Sequence, residues 1–148
     1  MLPNKSDLKN WTCEPVILRL MSENRWPRRI SEQWFKDFMC WFYSSCRWNQ
    51  ENKTPFMMDG MHYLDDVWHA YILNTKDYFF MCKELFGVDY IHHEPVNPFK
   101  KEPMEQDVYR NQLLFLLEEW GEEYIDRVWE YGANVSDLTD GQYLPNAI

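Results

Sequence analysis

The sequence predicts a mostly α-helical protein, a single-domain bundle of about five or six helices with irregular ends. Apolar residues recur at steps of three and four along several segments, which is the spacing of one helix face. Glycine is scarce, at five in 148 residues, and β-branched runs are absent, which disfavours a sandwich or a barrel. The length suits one domain, and eight Trp, nine Tyr and nine Phe supply large side chains for its core.

The first part of the chain predicts two helices behind a polar lead. Residues 1–10 are polar and are expected to be mobile. A short amphipathic helix is expected to begin near Pro15. A longer helix, from about residue 32 to 48, is expected to follow an N-cap at Ser31. Its broad apolar face is expected to be buried and contains Trp34, Phe35, Phe38, Met39, Trp41, Phe42 and Cys46.

A basic turn, Arg25 to Arg29, separates those two helices. We expect a solvated connector with Trp26 packed into the core. The alternative is a contact for phosphate or for an acidic peptide, but a short basic cluster is weak support for it.

The segment from Asp65 to Pro95 is the most informative part of the sequence. Its pattern predicts a hairpin of two helices, near residues 62–73 and 76–86, with Thr75 as the second N-cap and Gly87 as the stop. Asp65 and His69 are four residues apart, so the carboxylate can meet the imidazole on the helix surface. The second helix is expected to place Tyr78, Phe79, Cys82 and Phe86 on one side. Folded as a hairpin, the two helices can turn His69 and Cys82 towards one inner locus.

The same segment resembles the glycine-rich-domain-containing-protein-like family, whose biochemistry is largely unassigned. The resemblance covers about residues 25–130 and implies a helical fold more than a function. This chain departs from the family in lacking a glycine-rich tail and in carrying Val96-Asn97-Pro98 where the family has a glycine pair. The matching pattern is Asp65-x-x-Trp68-His69-x-x-x-Leu73-x-Thr75-x-x-Tyr78-x-x-x-Cys82, then Phe86-Gly87 and His92-His93-x-Pro95.

Histidine and cysteine in this segment raise the hypothesis of a zinc site. Zinc prefers imidazole and thiolate ligands. The four candidate ligands are His69, Cys82, His92 and His93. Asp65 could be a further ligand, or could orient His69 without contacting the ion. The alternative is structural: His69 is hydrogen-bonded, Cys82 is a small buried apolar group, and the paired histidines shape the turn before Pro95.

Catalysis has less support from the sequence. A nucleophilic Cys82 with a histidine base needs an electropositive, partly exposed setting, whereas its neighbours Phe79, Phe80 and Met81 suggest burial. The sequence contains no nucleophile elbow, glycine-rich phosphate loop or HExxH motif. We therefore lean towards a protein without catalytic activity.

The end of the chain predicts an acidic surface. Helices are expected at about 105–120 and 122–131, separated by Gly121, with a polar tail over 133–148. Residues 105–148 hold ten acidic and two basic side chains, so they account for −8 of the net charge of −9. A basic partner would relieve electrostatic repulsion of that size. Acidic helix faces are, however, more often simply exposed to solvent than bound to a partner. The candidate partner-binding residues are Glu118, Glu119, Glu122, Glu123, Asp126 and Glu130.

Composition also limits the binding partners and the cellular compartment that we expect for this chain. An acidic chain repels the phosphate backbone, so direct nucleic-acid binding is disfavoured. No apolar run approaches the roughly 20 residues of a membrane span, and no signal peptide is visible. Four irregularly spaced cysteines without a CxxC pair suggest free thiols in a reducing compartment. The leading hypothesis is a cytoplasmic adaptor or inhibitor that binds a basic protein. The alternative is a zinc-binding protein centred on the His/Cys cluster, with structural zinc or, with less support, as a metal-dependent hydrolase.

Overall fold

α-Helices and one 3-10 turn make up the regular structure of the part of the chain that is described below. The computed structural model describes residues 2–50, 59–93 and 106–130, and the side chains of 2–48, 60–93 and 110–130. Within these ranges there are seven α-helices and no strand, which confirms the predicted fold class. The elements are α1 Lys5–Asn10, α2 Glu14–Glu23, α3 Arg28–Gln50, a 3-10 turn at Asp59–Met61, α4 His62–Leu73, α5 Thr75–Phe86, α6 Gln106–Trp120 and α7 Glu122–Val128.

Backbone proximity groups the chain into two compact units. The first unit comprises Met1–Thr54 and Tyr63–Ile91, and it holds α1, α2, α3, α5 and all of α4 but its first residue. The second unit comprises Pro55–His62 and His92–Ile148, and it holds the 3-10 turn, α6 and α7. The single-domain organisation with a family-like region at about 25–130 stays a prediction.

The N-terminal segment differs from the predicted mobile lead. Asn4 is the N-cap of α1, and its side-chain oxygen accepts a hydrogen bond from the Asp7 backbone N–H at 2.7 Å. Leu8 is fully buried, and α1 packs against α3. The buried Leu8 and the Asn4 cap therefore stabilise a short helix, which the polar composition of residues 1–10 did not predict.

Helix α3 begins one turn earlier than predicted. The Ser31 N–H donates to the Pro27 carbonyl at 3.0 Å, so Ser31 lies inside the helix and is buried rather than serving as a cap. Pro15 does occupy the first turn of α2, as predicted. The predicted burial of the α3 face is confirmed for Phe35, Phe38, Met39, Trp41 and Phe42.

The basic turn between α2 and α3 carries a small aromatic cluster at the surface. Arg25 adopts the left-handed conformation, with φ of 56°. Trp26 is half-buried rather than enclosed, with ring centroids 6.2 Å from Trp34 and 5.7 Å from Tyr63. The Asn24 amide donates to the Asp66 carboxylate of α4 at 3.4 Å, so the start of this turn is tied to α4.

The core of the first unit joins α3 to α4 and α5 through aromatic rings. The Trp68 ring lies 5.1 Å from that of Trp41, and its indole N–H donates to the Tyr78 hydroxyl at 3.2 Å. The Trp11 indole N–H donates likewise to the Tyr71 hydroxyl at 3.0 Å. The indole N–H groups of Trp68 and Trp11 thus both have acceptors, which lowers the cost of removing them from water.

The turn between α4 and α5 confirms the predicted break. The side-chain amide of Asn74 donates to the Ala70 carbonyl at 2.9 Å and so closes the end of α4. Asn74 occupies the N-cap position of α5, and Thr75, predicted as the cap, is its first helical residue. Gly87 ends α5 in the left-handed conformation at φ 66°, which confirms it as the helix stop.

The second unit is organised around α6 and α7, which pack against each other. Gly121 separates them at φ 92°, a conformation that favours glycine. Helix α7 ends at Val128, three residues before the predicted end, and its buried face holds Tyr124, Ile125 and Val128. The sequence also predicts a loop over 49–60 and an extended connector over 96–103, which, like the tail over 133–148, lie largely or wholly outside the described residues. At the described ends of that loop, α3 extends through Gln50 and a 3-10 turn occupies Asp59–Met61.

Candidate functional site

Helix α4 presents an Asp–His pair on its outer side. Its apolar face, which includes Val67 and Trp68, is buried, so Asp65 and His69 are turned towards solvent. The His69 Nε2 lies 3.6 Å from the Asp65 Oδ2, and the two side chains are 57% and 28% exposed. The predicted meeting of these groups on the helix surface is therefore present. At this distance the contact is longer than a hydrogen bond, and the pair is an ion pair when the imidazole is protonated.

Cys82 is enclosed whereas His69 faces solvent, so the prediction that α4 and α5 turn both residues towards one inner locus is wrong. Its thiol is fully buried in the first unit, on the face of α5 that also carries Tyr78 and Phe86. Burial raises the pKa of the Cys82 thiol, although interactions with the Ile91 backbone and the Tyr78 hydroxyl act in the opposite direction. Both a zinc ligand and a nucleophile use the thiolate, so this environment opposes both roles.

The paired histidines begin the second of the two chain segments that form the second unit. His92 is exposed and His93 is half-buried. A zinc site that combines them with His69 and Cys82 stays a prediction from the sequence. The first unit provides one solvent-facing candidate ligand, the His69 imidazole, which lies beside the Asp65 carboxylate.

The acidic residues of α6 and α7 form a surface of the second unit. We call Glu118, Glu119, Glu122, Glu123, Asp126 and Glu130 the acidic surface. Glu118, Glu122, Glu123 and Asp126 are exposed, whereas Glu119 is half-buried. Helix α7 turns its apolar residues inward, which leaves its carboxylates outward. The sixth member, Glu130, is exposed as well.

Glu130 also has a structural role that its charge alone does not indicate. Its carboxylate accepts a hydrogen bond from the His62 backbone N–H, and its own N–H donates to the Gly60 carbonyl at 2.8 Å. These bonds tie the end of α7 to the turn before α4 within the second unit. The residues of the acidic surface best placed to meet a partner are therefore those of the α6–α7 junction.

An exposed aromatic face on α5 was missed by the sequence reasoning. Phe79 was expected on the buried side with Tyr78 and Cys82, but it is 49% exposed, and the next residue, Phe80, is 58% exposed. Lys76 and Lys83 are also exposed. The four residues follow the i, i+3, i+4, i+7 spacing of one helix stripe, a signal that could have revealed the face. We call Lys76, Phe79, Phe80 and Lys83 the outer face of α5.

Neighbouring rings extend this outer face on both sides. The Phe79 ring lies 6.1 Å from that of Tyr90, which is 59% exposed, and the Phe80 ring lies 6.0 Å from that of Trp11. Clustered exposed aromatic side chains of this kind mark contact surfaces more often than scattered ones do.

Comparison with protein-family models, with curated protein sequences and with solved structures found no match. The resemblance to the glycine-rich-domain-containing-protein-like family consequently stays a prediction from the residues of the central segment. Within the described ranges, no helix combines the length and the apolar character that crossing a membrane requires.

Proposed function

We propose that this chain is a small intracellular helical protein that acts by binding a basic surface of another protein, as an adaptor or an inhibitor. The observation that carries the proposal is the outward placement of the acidic side chains at the α6–α7 junction. Glu118, Glu122 and Glu123 are all exposed there, next to the half-buried Trp120. Carboxylates around an aromatic ring offer both charge complementarity and an apolar anchor, the combination that protein interfaces use.

The state of the cysteines supports an intracellular setting. All four cysteines are free, and Cys13 and Cys82 are buried. Burial raises the pKa of the Cys13 thiol as well, which keeps it protonated and slow to oxidise. Free buried thiols are typical of proteins from reducing compartments.

The test is a pull-down with quantitative mass spectrometry. The variant Glu118→Lys, Glu119→Lys, Glu122→Lys, Glu123→Lys is expected to lose most of a salt-sensitive, basic binding partner that the wild-type chain retains. Circular dichroism first establishes that the variant keeps its helices.

A matched control makes the same change of charge on the first unit. Its substitutions are Glu23→Lys, Glu32→Lys, Glu84→Lys and Asp89→Lys, all at exposed positions. Equal loss of the partner in both variants would show that net charge alone is responsible, and the proposal would fail. Retention by the control alone supports a contact at the α6–α7 junction.

The second candidate function is zinc binding, which the Asp65–His69 pair favours. The chain is purified without chelators, and its metal content is measured by inductively coupled plasma mass spectrometry. Near-stoichiometric zinc that is lost in His69→Ala, together with thermal stability, would support a structural zinc site. A chain without zinc, whose stability does not respond to a chelator, would remove this candidate.

A further inference from the structure

The outer face of α5 combines two rings with two ammonium groups. Lys76 and Lys83 are seven residues apart, a span of about 10.5 Å along a helix. Phe79 and Phe80 lie between them on the same stripe and are about half exposed. Neither ammonium pairs with a carboxylate among the residues that the structure describes. The face therefore offers apolar contact and two unneutralised positive charges to one ligand.

The ligand that fits this face is an acidic surface with an apolar component. Carboxylates satisfy the lysines, and an aromatic or aliphatic group covers the phenylalanines. A positively charged ligand is disfavoured by the lysines, and nucleic acid is disfavoured by the chain's net charge of −9. The same molecule carries a surface of the required kind, at the α6–α7 junction around Trp120.

We propose that the outer face of α5 binds the acidic surface of a second copy of this chain. The inference rests on the proposed function, because it uses the same acidic surface. It identifies the basic surface that this acidic surface binds as the outer face of α5 on a second copy. The contact joins different surfaces on the two copies, so it is heterologous and need not stop at a dimer.

The exposed area of the outer face of α5 sets the expected affinity of the contact. Aromatic side chains present about 150–250 Å² each, so Phe79, Phe80 and Tyr90 expose about 300 Å² together. A stable interface takes about 800 Å² from each partner, so the contact should be weak and concentration-dependent. Net repulsion between two chains of charge −9 opposes association at low ionic strength, so about 0.15 M salt is the suitable condition.

The experiment is sedimentation equilibrium of the full chain. The average mass is expected to rise above the monomer value of 18.2 kDa as the concentration rises from about 10 μM to about 1 mM, the range of a small interface. The variant Lys76→Glu, Lys83→Glu should stay monomeric throughout. Its control, Lys9→Glu, Lys36→Glu, makes the same change of net charge at other exposed positions and should associate like the wild type.

Two further measurements separate a specific contact from general stickiness. Phe80→Ala should reduce association, whereas Leu18→Ala, which also truncates a half-exposed apolar residue, should not. The Lys76→Glu, Lys83→Glu chain and a Glu122→Lys, Glu123→Lys chain should each be monomeric, but mixing them should restore association because each again faces an opposite charge.

The outcomes distinguish this inference from the proposed function. A wild-type chain that stays monomeric up to about 1 mM, the upper end of the range expected for a small interface, would overturn the inference. Equal loss of association in both lysine variants would do the same. If the wild-type chain is monomeric but captures a basic protein through the acidic surface, the proposed function stands alone. A chain that associates with itself but captures no other protein leaves the inference in place and removes the adaptor or inhibitor role.

Discussion

The first unit buries aromatic rings between helices, whereas the second unit turns carboxylates outward from α7. In the first unit, Phe38, Phe42 and Trp68 are at the centre of the ring contacts, and their positions depend on close packing. In the second unit, Glu122, Glu123 and Asp126 contact solvent, and their effect depends on charge. Substitutions should therefore change stability through the first set and binding through the second.

The largest expected effect is on the aromatic core of the first unit. Trp68→Ala removes a buried ring and the indole donor to Tyr78, so the free energy of unfolding should fall by about 3–5 kcal/mol. Chemical denaturation followed by circular dichroism measures this loss. Leu73→Ala, at an exposed position of the same helix, should change stability little, and equal losses in the two variants would contradict the packing argument.

A smaller loss is expected from Gly60 in the second unit. A Cβ at this position would lie 2.6 Å from the Trp129 Cε3, and that ring is buried. Gly60→Ala should therefore cost about 1–3 kcal/mol through overpacking. Hydrogen exchange measured by mass spectrometry should show faster exchange in peptides of α7.

Gly87→Ala provides the comparison in the first unit. Its Cβ would meet open space, but φ is 66°, so the cost should be about 1–2 kcal/mol of backbone strain. The faster exchange should then appear at the end of α5 rather than in α7. The same response in both regions for both variants would show that the two units do not respond separately.

The hydroxyl of Tyr71 should contribute less than a ring does. Tyr71→Phe keeps the packing but leaves the Trp11 indole N–H without its acceptor, at a cost of about 1 kcal/mol. Thermal or chemical unfolding measures the difference. Tyr90→Phe, at an exposed ring, should be neutral, and a cost equal to that of Tyr71→Phe would contradict the role assigned to the hydrogen bond.

The thiol of Cys46 should have the smallest effect on stability at neutral pH and a clear effect in alkaline solution. Burial raises its pKa from 9.0 to about 12. The folded chain therefore keeps this proton over a range in which the unfolded chain releases it, so the stability is complete below pH 9 and falls as the pH rises towards 12. Burial also raises the pKa values of Tyr71 and Tyr78 above 10.0, which adds to the loss above pH 10.

Cys46→Ala should make this alkaline loss of stability less steep. The measurement is the free energy of unfolding at pH 8, 10 and 11, compared by slope rather than by absolute value. An unchanged slope in Cys46→Ala would show that the thiol titrates alike in the folded and unfolded chains.

The sequence by itself determined the helical class, the break between α4 and α5 and the stop at Gly87, because periodicity and capping act over a few neighbouring residues. It also indicated the Asp65–His69 contact, which one helix turn produces. Only the tertiary structure decided that Leu8 anchors a helix in the polar lead, that His69 faces solvent while Cys82 is enclosed, and that Glu130 bonds to the turn before α4. Those outcomes depend on which helices pack together, and contacts between residues distant in the chain are not encoded in any short spacing.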